Sequence, residues 1–217
     1  MIIIIFLILV IIILLFNIEN FQNNNEENNK FIGITYRLTN NWHDYVNLDE
    51  YNNKPIKYLE IGTFYGANLL SFANSYGMHN DSKLYCIDPW IDHEEYPEYK
   101  GEQNKIYNTF VQNIKNSHHK DKITIIRGYS NNEIIKFEDN FFDIIYIDGN
   151  HQPEYVLEDG VLSFRKLKIN GIMIFDDYGW NGPDHTKKGI DAFLSAYSER
   201  ITLLGEKETQ LFLRKNK

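Results

Sequence analysis

The chain has 217 residues, and its 30 acidic residues outnumber its 22 lysine and arginine residues, for a formal net charge of -8. This length suits one α/β domain and excludes two domains of ordinary size. The negative charge disfavours nucleic acid as a partner, because it would repel a phosphate backbone unless a basic stripe lay on one face, and the sequence shows no such stripe. The single cysteine, Cys86, excludes an internal disulfide bond, and its strand-like surroundings indicate a buried core residue.

The N-terminal segment differs in composition from the rest of the chain. Residues 2–16 are all Ile, Leu, Val or Phe, and residues 17–30 are polar and rich in asparagine. We predict a hydrophobic helix over residues 1–18 that anchors the chain in a membrane, because a signal peptide would show a basic start and a small-residue cleavage site. A cleaved signal, with a secreted or lumenal protein, is the alternative. Residues 19–30 are predicted to be a disordered tether, and residues 31–217 the folded domain.

From residue 54 onward, strand-like and helix-like segments alternate, which is typical of a mostly parallel sheet with helices on both faces. Two apolar segments flank the charged residues 206–209 and predict a final hairpin, which adds one antiparallel strand. The predicted fold is therefore a Rossmann-like, doubly wound α/β domain with a seven-stranded sheet. Strands are predicted at residues 56–61, 83–88, 123–127, 141–148, 171–177, 200–205 and 210–214. Helices are predicted at residues 66–76, 103–116, 131–136, 153–167 and 187–197, after a helical flap within residues 31–53.

Two of these strands are largely apolar and end in carboxylates. One ends at Asp148, and the other ends at Asp176 and Asp177. If the strands are neighbours, their ends lie about 4.8 Å apart, and three carboxylates that close repel one another unless a cation lies among them. Helix capping is a poorer explanation, because Pro153 is the predicted first residue of the next helix and no helix begins directly after Asp177. We therefore predict a divalent metal site formed by the three aspartates.

The turn after the first predicted strand carries Gly62 and Gly66 in the sequence E-I-G-T-F-Y-G, residues 60–66. Glycine lets the backbone approach a ligand closely, and a helix N-terminus offers unpaired amides. A dinucleotide fingerprint needs glycine where Phe64 stands, which disfavours a nicotinamide oxidoreductase. A tight strand-to-helix turn explains both glycines equally well. Asp88 ends the second strand, where an acid can accept hydrogen bonds from both ribose hydroxyls, and a surface turn is its alternative role.

The glycine loop and the carboxylate-tipped strands resemble class I S-adenosylmethionine-dependent methyltransferases. The sequences Y-I-D-G-N-H-Q-P-E-Y at residues 146–155 and G-I-M-I-F-D-D-Y at residues 171–178 are similar to the macrocin-type O-methyltransferases, which are related to catechol O-methyltransferase. The resemblance covers residues 54–214 and implies S-adenosylmethionine as the cofactor. Tyr129 stands where such enzymes carry an acid beside the adenine. The cofactor-binding residues that the resemblance implies are Glu60, Gly62, Thr63, Gly66, Asp88, Tyr129 and Ser130.

The resemblance also implies that Asp148, Asp176 and Asp177 bind a divalent cation, usually Mg²⁺, which holds two substrate oxygens. Oxygen ligands suit Mg²⁺, and coordination lowers the pKa of a bound hydroxyl. His151 is the candidate general base, with the metal alone as the alternative. The predicted function is metal-assisted O-methyl transfer to a small molecule or sugar that carries a vicinal diol or a catechol-like ring. The alternative is a catalytically inactive, membrane-tethered interaction module of the same fold, and the oligomeric state is left open, with a homodimer compatible.

Two loops, residues 89–102 and 178–186, are predicted to lie at the same edge of the sheet and to shape the acceptor site. Their histidines, His93 and His185, are further candidates for the general base. The aromatic residues of these loops could form walls around a ring substrate or pack as part of a lid. These aromatic residues are Trp90, Tyr96, Tyr178 and Trp180.

Overall fold

A computed structural model describes residues 31–35 and 39–217 of the chain. These residues form one seven-stranded sheet with the strand order β3-β2-β1-β4-β5-β7-β6. The strands are β1 (Lys57–Ile61), β2 (Lys83–Asp88), β3 (Ile123–Arg127), β4 (Phe142–Ile147), β5 (Leu167–Phe175), β6 (Ile201–Lys207) and β7 (Gln210–Lys215). The α-helices are α1 (Leu48–Tyr51), α2 (Ala67–Ala73), α3 (Gln103–Asn116), α4 (Ser130–Glu133), α5 (Pro153–Lys166) and α6 (Thr186–Tyr197).

The strand pairing determines where a ligand can enter. β1 to β5 pair in parallel, and β7 pairs antiparallel with both β5 and β6. The predicted α/β architecture, a mostly parallel seven-stranded sheet with an antiparallel strand near the C-terminus, is therefore confirmed. The chain runs outward from β1 through β2 to β3 and then returns to place β4 on the other side of β1. This reversal leaves a crevice beyond the carboxyl ends of β1 and β4, which is where open α/β sheets bind ligands.

Each face of the sheet is covered by its own apolar core. Successive strand residues point to opposite faces, so Tyr58 packs in one core and Leu59 in the other. The first core includes Phe72 of α2 and Phe110 of α3, together with Trp42 from a 3-10 helix at Thr39–Asp44. The second core lies under α5 and α6. Cys86 is buried in the first core, as its strand-like surroundings indicate.

Two segments differ from the predicted elements. β5 begins at Leu167, directly after α5, and residues 168–171 form an irregularity, because Phe142 pairs with Leu167 whereas Ile144 pairs with Ile172. Asn170 takes a φ of 65° within this irregularity. Regular pairing with β4 resumes only after it, which is close to Gly171, where the predicted strand begins. The helical flap expected within residues 31–53 consists, in its described part, of the short 3-10 helix and the four-residue α1.

The prediction of a membrane-associated protein requires correction. No helix within residues 31–35 and 39–217 has the length and apolar character needed to cross a membrane. This finding contradicts the predicted localisation. The predicted hydrophobic helix at residues 1–18 and the tether at residues 19–30 lie outside the described residues.

Candidate active site

The two carboxylate-tipped strands are neighbours. β4 and β5 pair in parallel with Ile147 opposite Phe175, so Asp148 and Asp176 follow at adjacent strand ends. The backbone N–H of Asp148 donates to Ile61 O at 2.9 Å, and that of Asp176 donates to Ile147 O at 2.9 Å. These hydrogen bonds continue the sheet for one residue and bring the aspartates to the crevice between β1 and β4.

His151 lies between Asp148 and Asp177, two of the three predicted metal ligands. Its Nε2 lies 3.1 Å from Asp177 Oδ2 and 3.7 Å from Asp148 Oδ1. One ligand atom from each of these three residues lies within 4.8 Å of the other two. Asp177 adopts a φ of 56°, a left-handed conformation that is uncommon for a non-glycine residue. The tertiary structure thus forms a cluster of two carboxylates and one imidazole.

Asp176 is oriented differently from its two predicted partners. Its Oδ2 accepts a short hydrogen bond from the Tyr146 hydroxyl, and its Oδ1 accepts one from the Asp177 N–H at 2.8 Å. The side chain is buried and lies on the face of the sheet that carries Tyr146. Asp176 is therefore absent from the cluster around His151, although it is next to it, and its role as a metal ligand stays a prediction.

The opposite edge of the His151 ring is held by Glu95, a residue that the sequence did not single out. His151 Nδ1 lies 2.8 Å from Glu95 Oε1 and 3.1 Å from the Tyr96 hydroxyl. Burial alone would lower the pKa of His151, but the carboxylates of Asp148, Asp177 and Glu95 outweigh it and raise that pKa well above its ordinary value. Burial likewise opposes the fall in the pKa of Glu95, which the hydrogen bond and charge of His151 produce.

The cluster has the features of a divalent-cation site. Desolvation and the charge of Asp176 raise the pKa of Asp148, since a carboxyl among other carboxyls resists ionisation. His151 Nε2 is buried and, within the described residues, makes no hydrogen bond of good geometry although two carboxylates face it. A cation between these groups would satisfy the nitrogen and relieve the repulsion. Carboxylate oxygens suit Mg²⁺ and Mn²⁺, whereas imidazole is a ligand that Zn²⁺, iron and Ni²⁺ bind more readily.

Both glycines of the predicted cofactor loop are required by packing. A Cβ on Gly62, where φ is 78°, would lie 1.8 Å from Asp148 O, and one on Gly66, where φ is 84°, would lie 2.8 Å from Phe110. Gly62 therefore lets the loop pass directly against the backbone of Asp148. Gly66 also precedes α2 as its N-cap residue. The turn alone accounts for both glycines, and their contact with a cofactor stays a prediction.

Asp88 supports the same loop from the end of β2. Its Oδ2 accepts hydrogen bonds from the N–H groups of Thr63 and Phe64, both at 2.9 Å, and its Oδ1 accepts one from Trp90 N at 2.7 Å. Burial raises the pKa of Asp88, and these three backbone donors oppose that rise. Asp88 thus fixes the loop conformation, and binding of a ribose through its remaining acceptor capacity stays a prediction.

Glu60 lies inside the protein beneath the loop. Its Oε2 accepts hydrogen bonds from the Tyr58 hydroxyl at 2.8 Å and from Asn68 Nδ2 at 3.0 Å. Desolvation raises the pKa of Glu60 to about 8, against the lowering effect of these donors. Oδ1 of Asn68 is buried and has no hydrogen-bond partner among the described residues, so the first turn of α2 carries a polar acceptor that these residues leave unused.

The predicted adenine contacts flank a second buried acid. Tyr129 is 55% exposed beside the end of β3, and Ser130 begins α4. Ser130 hydrogen-bonds to Asp159 of α5, a buried residue absent from the predicted site, and burial raises the pKa of Asp159 to about 7. Asp159 was missed because its position in the sequence is that of an ordinary helix residue.

Only some residues of the two predicted acceptor loops lie beside His151. The rings of Trp180 and Tyr96 lie 4.9 and 5.9 Å from the His151 ring, so both flank the cluster. Trp90 turns into the core instead and stacks on Phe110 at 4.8 Å. Three other residues lie beyond this immediate contact. They are His93 against Tyr96, His185 against Trp180, and Tyr178, whose hydroxyl bonds to Asp191.

The fold is that of a class I methyltransferase, and the comparison with known proteins agrees. Residues 59–178 match the family described as a methyltransferase domain. The chain belongs to this family, which confirms the predicted relationship. An uncharacterized protein of Acanthamoeba polyphaga mimivirus is 31% identical over 152 residues, which cover 68% of this chain and 62% of the relative. The chain thus spans less than two thirds of that relative's length.

Solved structures share the fold. A candidate caffeoyl-CoA O-methyltransferase from Staphylococcus aureus has a TM-score of 0.59 at 20% identity, over 92% of this chain and 90% of that one. The MycE methyltransferase of the mycinamycin biosynthetic pathway, solved with Mg and S-adenosylhomocysteine, has a TM-score of 0.52 at 16% identity, over 77% of this chain and 47% of that one. At these identities, the likeness concerns the fold.

Proposed function

We propose that the chain catalyses S-adenosylmethionine-dependent, divalent-metal-assisted O-methyl transfer to a hydroxyl of a small molecule or sugar with a vicinal diol or catechol-like ring. The convergence of Asp148, Asp177 and His151 at the ends of β4 and β5 carries this proposal. The family membership supports methyl transfer, and the Mg-containing structure of MycE supports a cation in a related fold.

The cofactor is proposed to lie beyond the ends of β1 and β2. The loop at Gly62 passes against the backbone of Asp148, so a methyl donor on this loop would lie beside the metal cluster. Asp88 holds the loop in place, and the unused Oδ1 of Asn68 offers an acceptor nearby. Short separation of donor and acceptor matters because methyl transfer requires the oxygen, carbon and sulfur to align.

The acceptor is proposed to lie over the cluster. When bound by Asp148, Asp177 and His151, or by the carboxylates alone, a divalent cation lowers the pKa of an acceptor hydroxyl and orients two neighbouring oxygens. His151 is oriented by Glu95 through Nδ1, and its Nε2 faces the two aspartates. Nε2 can receive the acceptor proton only where the carboxylates alone hold the cation, whose charge would offset the acids that raise the pKa of His151. The rings of Tyr96 and Trp180 beside His151 would exclude water and flank a planar acceptor.

Methyl transfer by the purified full chain tests this proposal, with catechol and a methyl glycoside as acceptor probes and formation of S-adenosylhomocysteine as the readout. We expect turnover that stops in EDTA and returns with Mg²⁺. Asp177→Asn should lower turnover by about 100-fold or more while leaving S-adenosylmethionine affinity unchanged, because it removes the negative charge of one cluster residue and leaves the cofactor loop intact. Asp184→Asn, in an exposed position of the same loop, is the matched control.

Three results would contradict the proposal. Turnover that persists in EDTA, or an Asp177→Asn variant as active as Asp184→Asn, would exclude the metal-assisted mechanism. Failure to bind S-adenosylmethionine at millimolar concentration in calorimetry would exclude methyl transfer and leave a non-catalytic interaction module, which no observation on the described residues favours.

A further inference from the structure

A chain of buried hydrogen bonds runs from the N-terminal 3-10 helix to the candidate metal site. Trp42 Nε1 donates to Gln210 Oε1 at 3.0 Å, and Gln210 Nε2 donates to the Tyr146 hydroxyl at 3.0 Å. The Tyr146 hydroxyl donates to Asp176 Oδ2. All four side chains are at most 7% exposed. Because the four residues come from distant parts of the sequence, only the fold assembles the chain.

The chemistry of the groups determines the direction of this chain. An indole N–H can only donate, so it requires the amide oxygen of Gln210 and thereby turns the amide nitrogen toward Tyr146. The tyrosine oxygen already accepts from that nitrogen, so its own proton points to Asp176. A carboxylate accepts it as the last member. Each hydrogen bond strengthens the next in such a directional, water-excluded series.

Asp176 connects this series of hydrogen bonds to the backbone of Asp177, a residue of the cluster around His151. Its second oxygen, Oδ1, accepts the Asp177 N–H at 2.8 Å. Asp177 needs such support, because its φ of 56° is unfavourable for a residue with a side chain. In that conformation Oδ2 of Asp177 lies 3.1 Å from His151 Nε2. The buried series therefore ends on the peptide group that aims one of the cluster carboxylates.

We infer that Tyr146, Gln210 and Trp42 are positioning residues that act through Asp176 to preorganise the Asp177 carboxylate for a divalent cation. The inference rests on the proposed function, since it assigns these residues to the same metal site. Cation binding is thereby coupled to three elements, which are β4 with Tyr146, β7 with Gln210 and the 3-10 helix with Trp42.

Mn²⁺ binding, followed by electron paramagnetic resonance on the full chain, tests this role without an acceptor. Tyr146→Phe keeps the ring that stacks on Trp42 at 5.5 Å and removes only the hydroxyl. We expect Mn²⁺ affinity to fall by about tenfold or more, with S-adenosylmethionine affinity unchanged, because outer hydrogen bonds tune metal ligands to that extent. Gln210→Met, which leaves the hydroxyl in place, should produce a smaller loss in the same direction.

Tyr76→Phe is the matched control. Tyr76 is equally buried and its ring lies 5.6 Å from the Trp42 ring, but its hydroxyl donates to Val46 O outside the series. The control should bind Mn²⁺ as the wild type does. Equal Mn²⁺ affinity in wild type, Tyr146→Phe and Gln210→Met would overturn the inference while the proposed function stands. A wild-type chain that binds no Mn²⁺ would overturn both the inference and the proposed function. Equal losses of Mn²⁺ affinity in Tyr146→Phe and Tyr76→Phe would also overturn the inference, because they would show an effect of core packing and not of the hydrogen bonds.

Discussion

The contact between Gly62 and Asp148 allows a quantitative test of how the loop and the cluster depend on each other. In Gly62→Ala the new Cβ would lie 1.8 Å from Asp148 O, whereas real Cβ atoms essentially never come within 3.0 Å of another heavy atom. The Asp148 backbone would therefore have to retreat by about 1.2 Å. That movement would lengthen the 2.9 Å hydrogen bond from Asp148 N to Ile61 O and displace the carboxylate that follows β4.

Gly101→Ala separates the steric effect from backbone strain. Gly101 has a φ of 80°, close to the 78° of Gly62, but nothing lies within 4 Å of its added Cβ. A side chain in this region costs about 1 to 2 kcal/mol at either position. Gly62→Ala adds the loss of a strand-end hydrogen bond and the forced displacement, together about 2 to 4 kcal/mol.

Urea denaturation of the full chain, with both variants compared at one pH, measures this difference in the free energy of unfolding. We expect Gly62→Ala to lose at least about 2 kcal/mol more than Gly101→Ala. Mn²⁺ affinity should fall in Gly62→Ala alone, because only this variant moves Asp148. Equal losses of stability in the two variants would refute the argument from the close approach.

Two further predictions concern the buried Glu60 and the partly buried Glu95. The pKa of Glu60 is raised to about 8 by burial, so the folded state holds the proton more tightly and the contribution of Glu60 to stability is present below about pH 4.5 and lost as the pH rises through 8. Glu60→Gln should therefore reduce the difference between urea midpoints at pH 5 and pH 8, and an unchanged difference would refute the assignment. Glu95→Gln should lower methyl transfer about tenfold or more, because His151 loses its orienting carboxylate. Glu94→Gln, at an exposed neighbouring position, should have no effect, and S-adenosylmethionine affinity should stay constant in both variants.

Asp148 and Asp177 show how much of the candidate site the sequence predicts. Apolar strands that end in acid predict that Asp148 and Asp177 approach each other, because parallel neighbours present their carboxyl ends at one edge. The same reasoning placed Asp176 with them. In the structure Asp176 accepts a hydrogen bond from Tyr146 instead of joining the cluster around His151, and neither strand taken alone predicts this contact.

The two acceptor loops show more clearly which site residues the sequence does not predict. Residues 89–102 contain several acids, and nothing in their order distinguishes Glu95 from its neighbours. The prediction that aromatic loop residues line the site fits Tyr96 and Trp180, which flank His151, but Trp90 packs in the core. Such choices depend on contacts between loops and helices that are distant in sequence.

The alternation of strands and helices, the mostly parallel sheet and the family are predictable from residue order, because periodicity, glycines and strand-end acids are local features. Residue order also predicts Asp148, Asp177 and His151 as residues of one site. Three contacts are visible only in the folded chain: Glu95 against His151, Asp176 at the end of the hydrogen bonds from Trp42, and Gly62 against the backbone of Asp148. Those contacts depend on side chains that meet across the fold, and the chain order does not encode which buried donor finds which acceptor.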